Sequence, residues 1–124
     1  MENKKYDLED RLIAFALLVM TIVELLYDNK IGNHIGGQLL RSGTSPAFNY
    51  GEAQSAESRN DFIHKMKICL KELRETRVAF KIIKKKPLIK QTEFLEKALQ
   101  ECNELISIFV KSIATAERNK GVTK

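Results

Sequence analysis

The chain has 124 residues, 44% of them hydrophobic and 30% charged, with a formal net charge of +5. That length predicts one domain able to bury a core without disulfide or metal staples. Six Gly and two Pro leave little room for linkers.

The longest uncharged run, residues 12–23, has twelve residues. A spanning helix needs about 18–20, so no membrane segment is expected. Asp7, Glu9 and Asp10 interrupt the basic start that a signal peptide requires, and no small-residue cleavage site follows the run. Cys69 and Cys102 stand inside apolar helical patterns with no CxxC motif. They read as buried free thiols of a cytoplasmic protein.

Four helices are predicted, over roughly 7–27, 31–57, 59–86 and 92–117, after a loose tail at 1–6. Asp7 is the expected cap of the first, with Glu9 and Asp10 favourable at its positive end. Leu8, Leu12, Phe15, Val19, Ile22 and Leu26 alternate steps of 4 and 3, the spacing of a bundle seam. Ile13, Leu17, Met20 and Val23 form a second apolar set outside that seam. A helix apolar on two sides argues for a subunit interface; the alternative is a broad core stripe in a monomer.

Asp28-Asn29-Lys30 is a short connection, and Gly32, Gly36 and Gly37 predict a soft start to the second helix. Ile35, Leu39, Ser42, Pro46, Asn49, Ala53 and Ala56 form its seam. Small residues in the second half allow a close neighbour. The unbroken spacing across Pro46 favours one kinked helix; Ser45 as a cap followed by Pro46 at the start of a new helix is the alternative. Ser58 or Asn60 starts the third helix, whose seam is Phe62, Met66, Cys69, Leu73, Thr76, Phe80 and Ile83. Lys84, Lys85 and Lys86 suit its C-terminus, and Pro87 stops it. Thr92 is the expected cap of the fourth. Its seam is Leu95, Leu99, Cys102, Ile106, Phe109, Ile113 and Ala116, with a frayed polar tail from Arg118. Short connections then predict an all-α, antiparallel, up-down-up-down four-helix bundle.

No catalytic constellation stands out, and no enzyme activity or cofactor is expected. Asp61-x-x-His64 lacks the second such pair that a bundle di-metal site uses, and His34 lies in a glycine-rich segment. Ser42 and Ser45 have no flanking nucleophile elbow. A phosphate-binding glycine loop is absent.

Two polar features remain. Gln38, Ser42, Ser45, Asn49 and Glu52 make a stripe on the second helix. In the structural reading, Ser42 and Ser45 satisfy carbonyls freed by Pro46. Asn49 and Glu52 then bond to a neighbouring helix, Glu52 to an Arg or Lys such as Arg41 of an adjoining surface or Arg74. In the functional reading the stripe lines a ligand groove at Ser45, Asn49 and Glu52. The second feature is charge. Residues 58–90 hold eleven Lys or Arg against three acids, +8, which leaves −3 for the remainder. Lys67, Lys71, Arg74, Lys81 and Lys85 share one face of the third helix, with Val78 in the gap. That face is either merely solvated or a phosphate-binding surface. Phe62 and Phe80 belong to the seam, so backbone recognition of a duplex or structured RNA fits better than base stacking.

The motif Gln38-Leu39-Leu40-Arg41-Ser42, Ser45-Pro46, Asn49 and Gly51-Glu52-Ala53, followed by Ser58, Asp61-Phe62, Leu70-Lys71-Glu72-Leu73 and Glu75-Thr76, resembles the 23S rRNA-intervening-sequence proteins. It is also similar to the accessory protein of diversity-generating retroelements. The motif covers about a third of the chain, and helix order extends the likeness to nearly all of it. Many members have Gly where this chain has Ala53. The resemblance implies a four-helix bundle assembled as a homopentamer ring, with Arg41, Ser45, Asn49 and Glu52 as motif residues and no catalytic residue to carry over. The reading is therefore a non-enzymatic oligomer that binds RNA or DNA through Lys67, Lys71, Arg74, Lys81 and Lys85. The alternative is a scaffold whose basic face docks an acidic protein, such as an RNA-processing or reverse-transcribing enzyme.

Overall fold

In this computed structural model, residues 7–122 are described, with side chains for 7–119. Asp7 Oδ1 accepts from the Asp10 amide at 3.2 Å and starts α1, Leu8–Leu25. Asn29 caps α2, Lys30–Gln54, by accepting from Gly32 N at 2.8 Å. Ser58 caps α3, Arg59–Lys85, through Asp61 N at 3.0 Å. The carbonyl of Thr92 takes the first bond of α4, Glu93–Val122, from Glu96 N. The expected side-chain caps stand at Asp7 and Ser58, and α4 starts directly after Thr92. The loose tail expected at 1–6 lies outside the described residues.

Side-chain pairings give the direction of each helix. Gly36 faces Leu26 and Gly43 faces Val19, so α1 and α2 run antiparallel. Arg41 reaches Glu72 while Glu52 reaches Lys65, which sets α2 against α3. Lys67 pairs with Glu117 and Lys84 with Glu96, which sets α3 against α4. The result is the expected all-α, up-down-up-down bundle. Among the described residues the only extended pairing is a single bridge between Leu26 and Ile89.

The seams meet in one core. Phe15, Phe80 and Phe109 are fully buried, as are Leu39, Leu73 and Leu105. Two edge-to-face aromatic pairs cross the bundle diagonally, Phe15 with Phe80 at 6.3 Å and Tyr50 with Phe109 at 6.1 Å. Such pairs tie opposite helices together as well as neighbours. Burial raises the Tyr50 phenol above its ordinary pKa, helped by the Asp7 and Glu9 charges. Cys69 and Cys102 are buried free thiols, donating to Pro46 O at 3.5 Å and Leu73 O at 3.3 Å. Burial pushes both thiols up to about 12.

Three local expectations change. First, α2 is helical from Lys30, so its start is not soft, and Gly32, Gly36 and Gly43 are packing sites. A Cβ at Gly32 would lie 2.0 Å from the Tyr27 carbonyl oxygen. A Cβ at Gly43 would lie 2.7 Å from both γ-methyls of Val19. Second, α2 is continuous through Pro46 but stops at Gln54, short of residue 57, because Ser58 turns the chain into α3. Third, α4 does not end near 117: it runs on to Val122 with a polar last turn. Residues 123–124 lie outside the described part.

One core element had no periodic signal. The turn after α3 folds Leu88 and Ile89 back, 2% and 3% exposed, over one end of the bundle. Tyr27 N donates to Leu88 O at 2.9 Å, pinning the α1–α2 turn to the α3–α4 turn.

Candidate nucleic-acid interface

The seam of α3 buries Met66, Cys69, Leu73, Thr76, Phe80 and Ile83, which turns the opposite side of the helix outward. Lys67, Lys71, Arg74, Lys81 and Lys85 are all exposed on that side. They are not electrostatically equal. Lys67 pairs with Glu117 of α4 at 2.9 Å, and Lys71 lies 4.0 Å from Glu72. Among the described residues Arg74, Lys81 and Lys85 form no ion pair. Two further α3 cations turn to α4 instead, Arg77 to Asn103 at 3.0 Å and Lys84 to Glu96 at 3.0 Å. The uncompensated charge is thus a ridge along the outer edge of α3.

Beside that ridge, α3 and α4 leave a groove of about 680 Å³. Its floor is apolar, with Leu70, Val78, Val110, Ile113 and Ala114; Lys67, Lys71 and Arg74 stand along it, together with Glu75 and Glu117. Val78 is 56% exposed. A phosphate needs cations and donors; it gains nothing from an apolar floor. The surface therefore combines a cationic edge with an apolar trough.

The polar stripe of α2 divides. Ser42 is buried and bonded across the bundle: Thr76 Oγ1 lies 2.9 Å from Ser42 Oγ and 2.8 Å from Glu72 O. Ser42 Oγ also donates to Leu39 O at 3.5 Å, so it does not serve the carbonyl freed by Pro46, its own. Asn49 turns back along its own helix, donating to Ser45 O at 3.1 Å and Ser45 Oγ at 2.9 Å. Of Asn49 and Glu52, Glu52 alone crosses to α3, and its partner is Lys65 rather than Arg41 or Arg74. The antiparallel register explains this, because Glu52 lies near the α2–α3 turn and Arg41 lies three turns away from it. Arg41 instead bridges Glu72 at 3.0 Å and Glu75 at 2.6 Å. The Glu75 bond, then the Glu72 bond, raises the guanidinium pKa above its ordinary value. Glu72 is a nearly buried carboxylate, and such a group needs a cation and hydrogen bonds. Arg41, Ser42, Glu72, Glu75 and Thr76 thus form one α2–α3 clamp. None of five clefts along the described residues is lined by Ser45, Asn49 or Glu52. At Ala53, where a glycine was the expected type, the methyl is buried in the core.

On the opposite side of the bundle, α1 and α2 enclose a groove of about 570 Å³. Ile13, Leu17, Met20, Leu40 and Phe48 line it; Leu17 is 57% exposed and Phe48 73%. The second apolar set of α1 therefore does not enter the core, apart from half-buried Val23. Phe48 and Leu40 join it from α2, where the seam pattern gave them no role.

No group of three or more His, Cys, Asp or Glu among the described residues is placed to hold a metal ion. No described helix is long and apolar enough to cross a membrane.

The family model of the 23S rRNA-intervening sequence protein matches residues 5–111. The chain belongs to that family. Its bundle is also similar to the crystal structure of a protein of unknown function from the S23 ribosomal protein family of Bacteroides thetaiotaomicron, with TM-score 0.77 and 30% identity over 85% of this chain and 96% of that one. No protein of curated function matches.

Proposed function

We propose that the protein is a non-enzymatic, cytoplasmic oligomer that binds the backbone of RNA or DNA along α3. The observation that carries this is the ridge of Lys67, Lys71, Arg74, Lys81 and Lys85, exposed on one rigid helix and only partly neutralised by carboxylates. Cations so placed contact successive phosphates with little regard to sequence. The α1–α2 apolar groove supports self-association, and a homopentamer ring would present five ridges at once. Contacts that are weak in one subunit then add through avidity.

A second reading has its own support. The apolar floor of the α3–α4 groove suits a protein side chain better than a phosphate. In that reading the ridge docks an acidic partner, such as an RNA-processing or reverse-transcribing enzyme, whose apolar residues enter between Val78 and Val110.

Fluorescence anisotropy of the full chain with an RNA hairpin and a DNA duplex, across a salt series, separates the two. Four or five phosphate contacts predict a log–log salt slope of about −4 for duplex DNA. Lys67→Glu, Lys71→Glu, Arg74→Glu, Lys81→Glu and Lys85→Glu together should abolish binding with the oligomer intact. Absence of binding at low salt by the wild-type oligomer refutes the nucleic-acid reading. Saturable binding to an acidic polypeptide instead would support the scaffold.

A further inference from the structure

We propose that the cleft between the start of α3 and the end of α4 holds one nucleotide unit, with its phosphate between Arg59 and Lys111 and its base against Phe62. The cleft measures about 570 Å³, within the usual range for small-molecule sites. Of the five clefts along the described residues, it alone is lined by cations and no carboxylate. Neither Arg59 nor Lys111 forms an ion pair among the described residues, whereas Arg11, Arg41, Lys65, Lys67 and Lys84 all do.

Two like charges brought to one cleft from separate helices repel, and an anion between them reverses the sign of that interaction. The guanidinium of Arg59 offers a planar fork for two phosphate oxygens, and the ammonium of Lys111 adds a point charge. Ser112 and Thr115 line the same wall, with hydroxyls suited to a phosphate or a ribose. Thr115 Oγ1 also accepts from Arg118 Nη2 at 3.4 Å. Phe62 is half-buried: one side packs on the core, and the ring also lines the cleft. Base stacking on such a ring tolerates any base.

None of these residues belongs to the α3 ridge, so the site stands or falls separately from the proposed backbone binding. The same chemistry is supplied by a free nucleotide or by a nucleotide within a strand.

The test is amide chemical-shift mapping of the labelled full chain with AMP, adenosine, inorganic phosphate and a short oligoadenylate. AMP should shift amides around Arg59 and from Lys111 to Asn119 with millimolar affinity, more tightly than adenosine or phosphate alone. Arg59→Glu with Lys111→Glu should weaken AMP about tenfold or more. Phe62→Leu should weaken AMP while leaving phosphate unchanged. Charge reversal along the α3 ridge should leave AMP binding as it was. An oligoadenylate that binds more tightly than AMP, and competes with it, identifies the strand as the source; tighter AMP identifies the free nucleotide. Absence of cleft shifts with AMP in the wild type overturns the proposal, and so does AMP binding that survives the Arg59→Glu, Lys111→Glu pair.

Discussion

Gly43→Ala tests the close approach of α1 and α2. In a free helix the change stabilises by about 1 kcal/mol, because glycine has more backbone freedom to lose. Here the new methyl would sit 2.7 Å from both γ-carbons of Val19 and 3.1 Å from its β-carbon. Ordinary carbon contacts lie at about 3.5–4.0 Å. Val19 is fully buried and, being β-branched, has one strongly preferred rotamer in a helix. It cannot swing away, so either the helices separate or the side chain leaves its well. Overpacking of that kind costs about 1–3 kcal/mol, which leaves Gly43→Ala destabilised by about 1 kcal/mol after the propensity gain. Gly37 is the control. A Cβ there meets nothing within 4 Å, so Gly37→Ala should gain about 0.5–1 kcal/mol. The assay is urea denaturation followed by circular dichroism at one fixed protein concentration, since the proposed self-association would couple to the midpoint. Val19→Ala added to Gly43→Ala should show favourable coupling of about 1 kcal/mol. A Gly43→Ala protein as stable as Gly37→Ala refutes the close-packing argument.

Arg41→Ala should lower the thermal midpoint more than Lys65→Ala, because it strips the cation from nearly buried Glu72, and Glu72→Gln in that background should restore part of the loss; equal midpoints would contradict the clamp. Cys69 and Cys102 should resist a thiol reagent at pH 8 until urea unfolds the chain. Their folded pKa of about 12 lies above the ordinary 9.0, so the folded state holds its protons more tightly than the unfolded one. Stability should therefore be intact below about pH 9 and fall as pH rises from 9 towards 12. Cys69→Ala with Cys102→Ala should flatten that fall in a urea-midpoint series against pH. Phe48→Asp should shift the oligomer towards monomer in sedimentation velocity without lowering helix content, and an unchanged sedimentation coefficient would remove the α1–α2 groove as the contact.

The four helices, their seams and the caps at Asp7 and Ser58 were legible in the chain order, because the 4-3 apolar rhythm and the Asp and Ser caps act within a turn of where they stand. The two apolar sides of α1 were legible too, but the pattern left a broad core stripe open, and only the bundle leaves Ile13, Leu17 and Met20 exposed. The five basic residues of α3 could be placed on one face by the same spacing. What the pattern could not carry was pairing between helices. It called for an Arg or Lys at Glu52 and named Arg41 or Arg74, where the antiparallel register supplies Lys65. It gave Gly43 no packing role, although Val19 leaves no room for a Cβ there. It gave Leu88 and Ile89 no role, because a two-residue plug has no period. It assigned Phe62 wholly to the core, whereas the cleft between α3 and α4 exposes part of its ring.

Local spacing thus determined which residues become helices and which side of each turns inward, since both follow from geometry within a few residues. Only the tertiary structure decided which carboxylate meets which cation, which apolar residues stay uncovered, and which cations keep their charge unspent. Those outcomes depend on helices brought side by side from distant parts of the chain, and no periodicity within one helix encodes the neighbour's register.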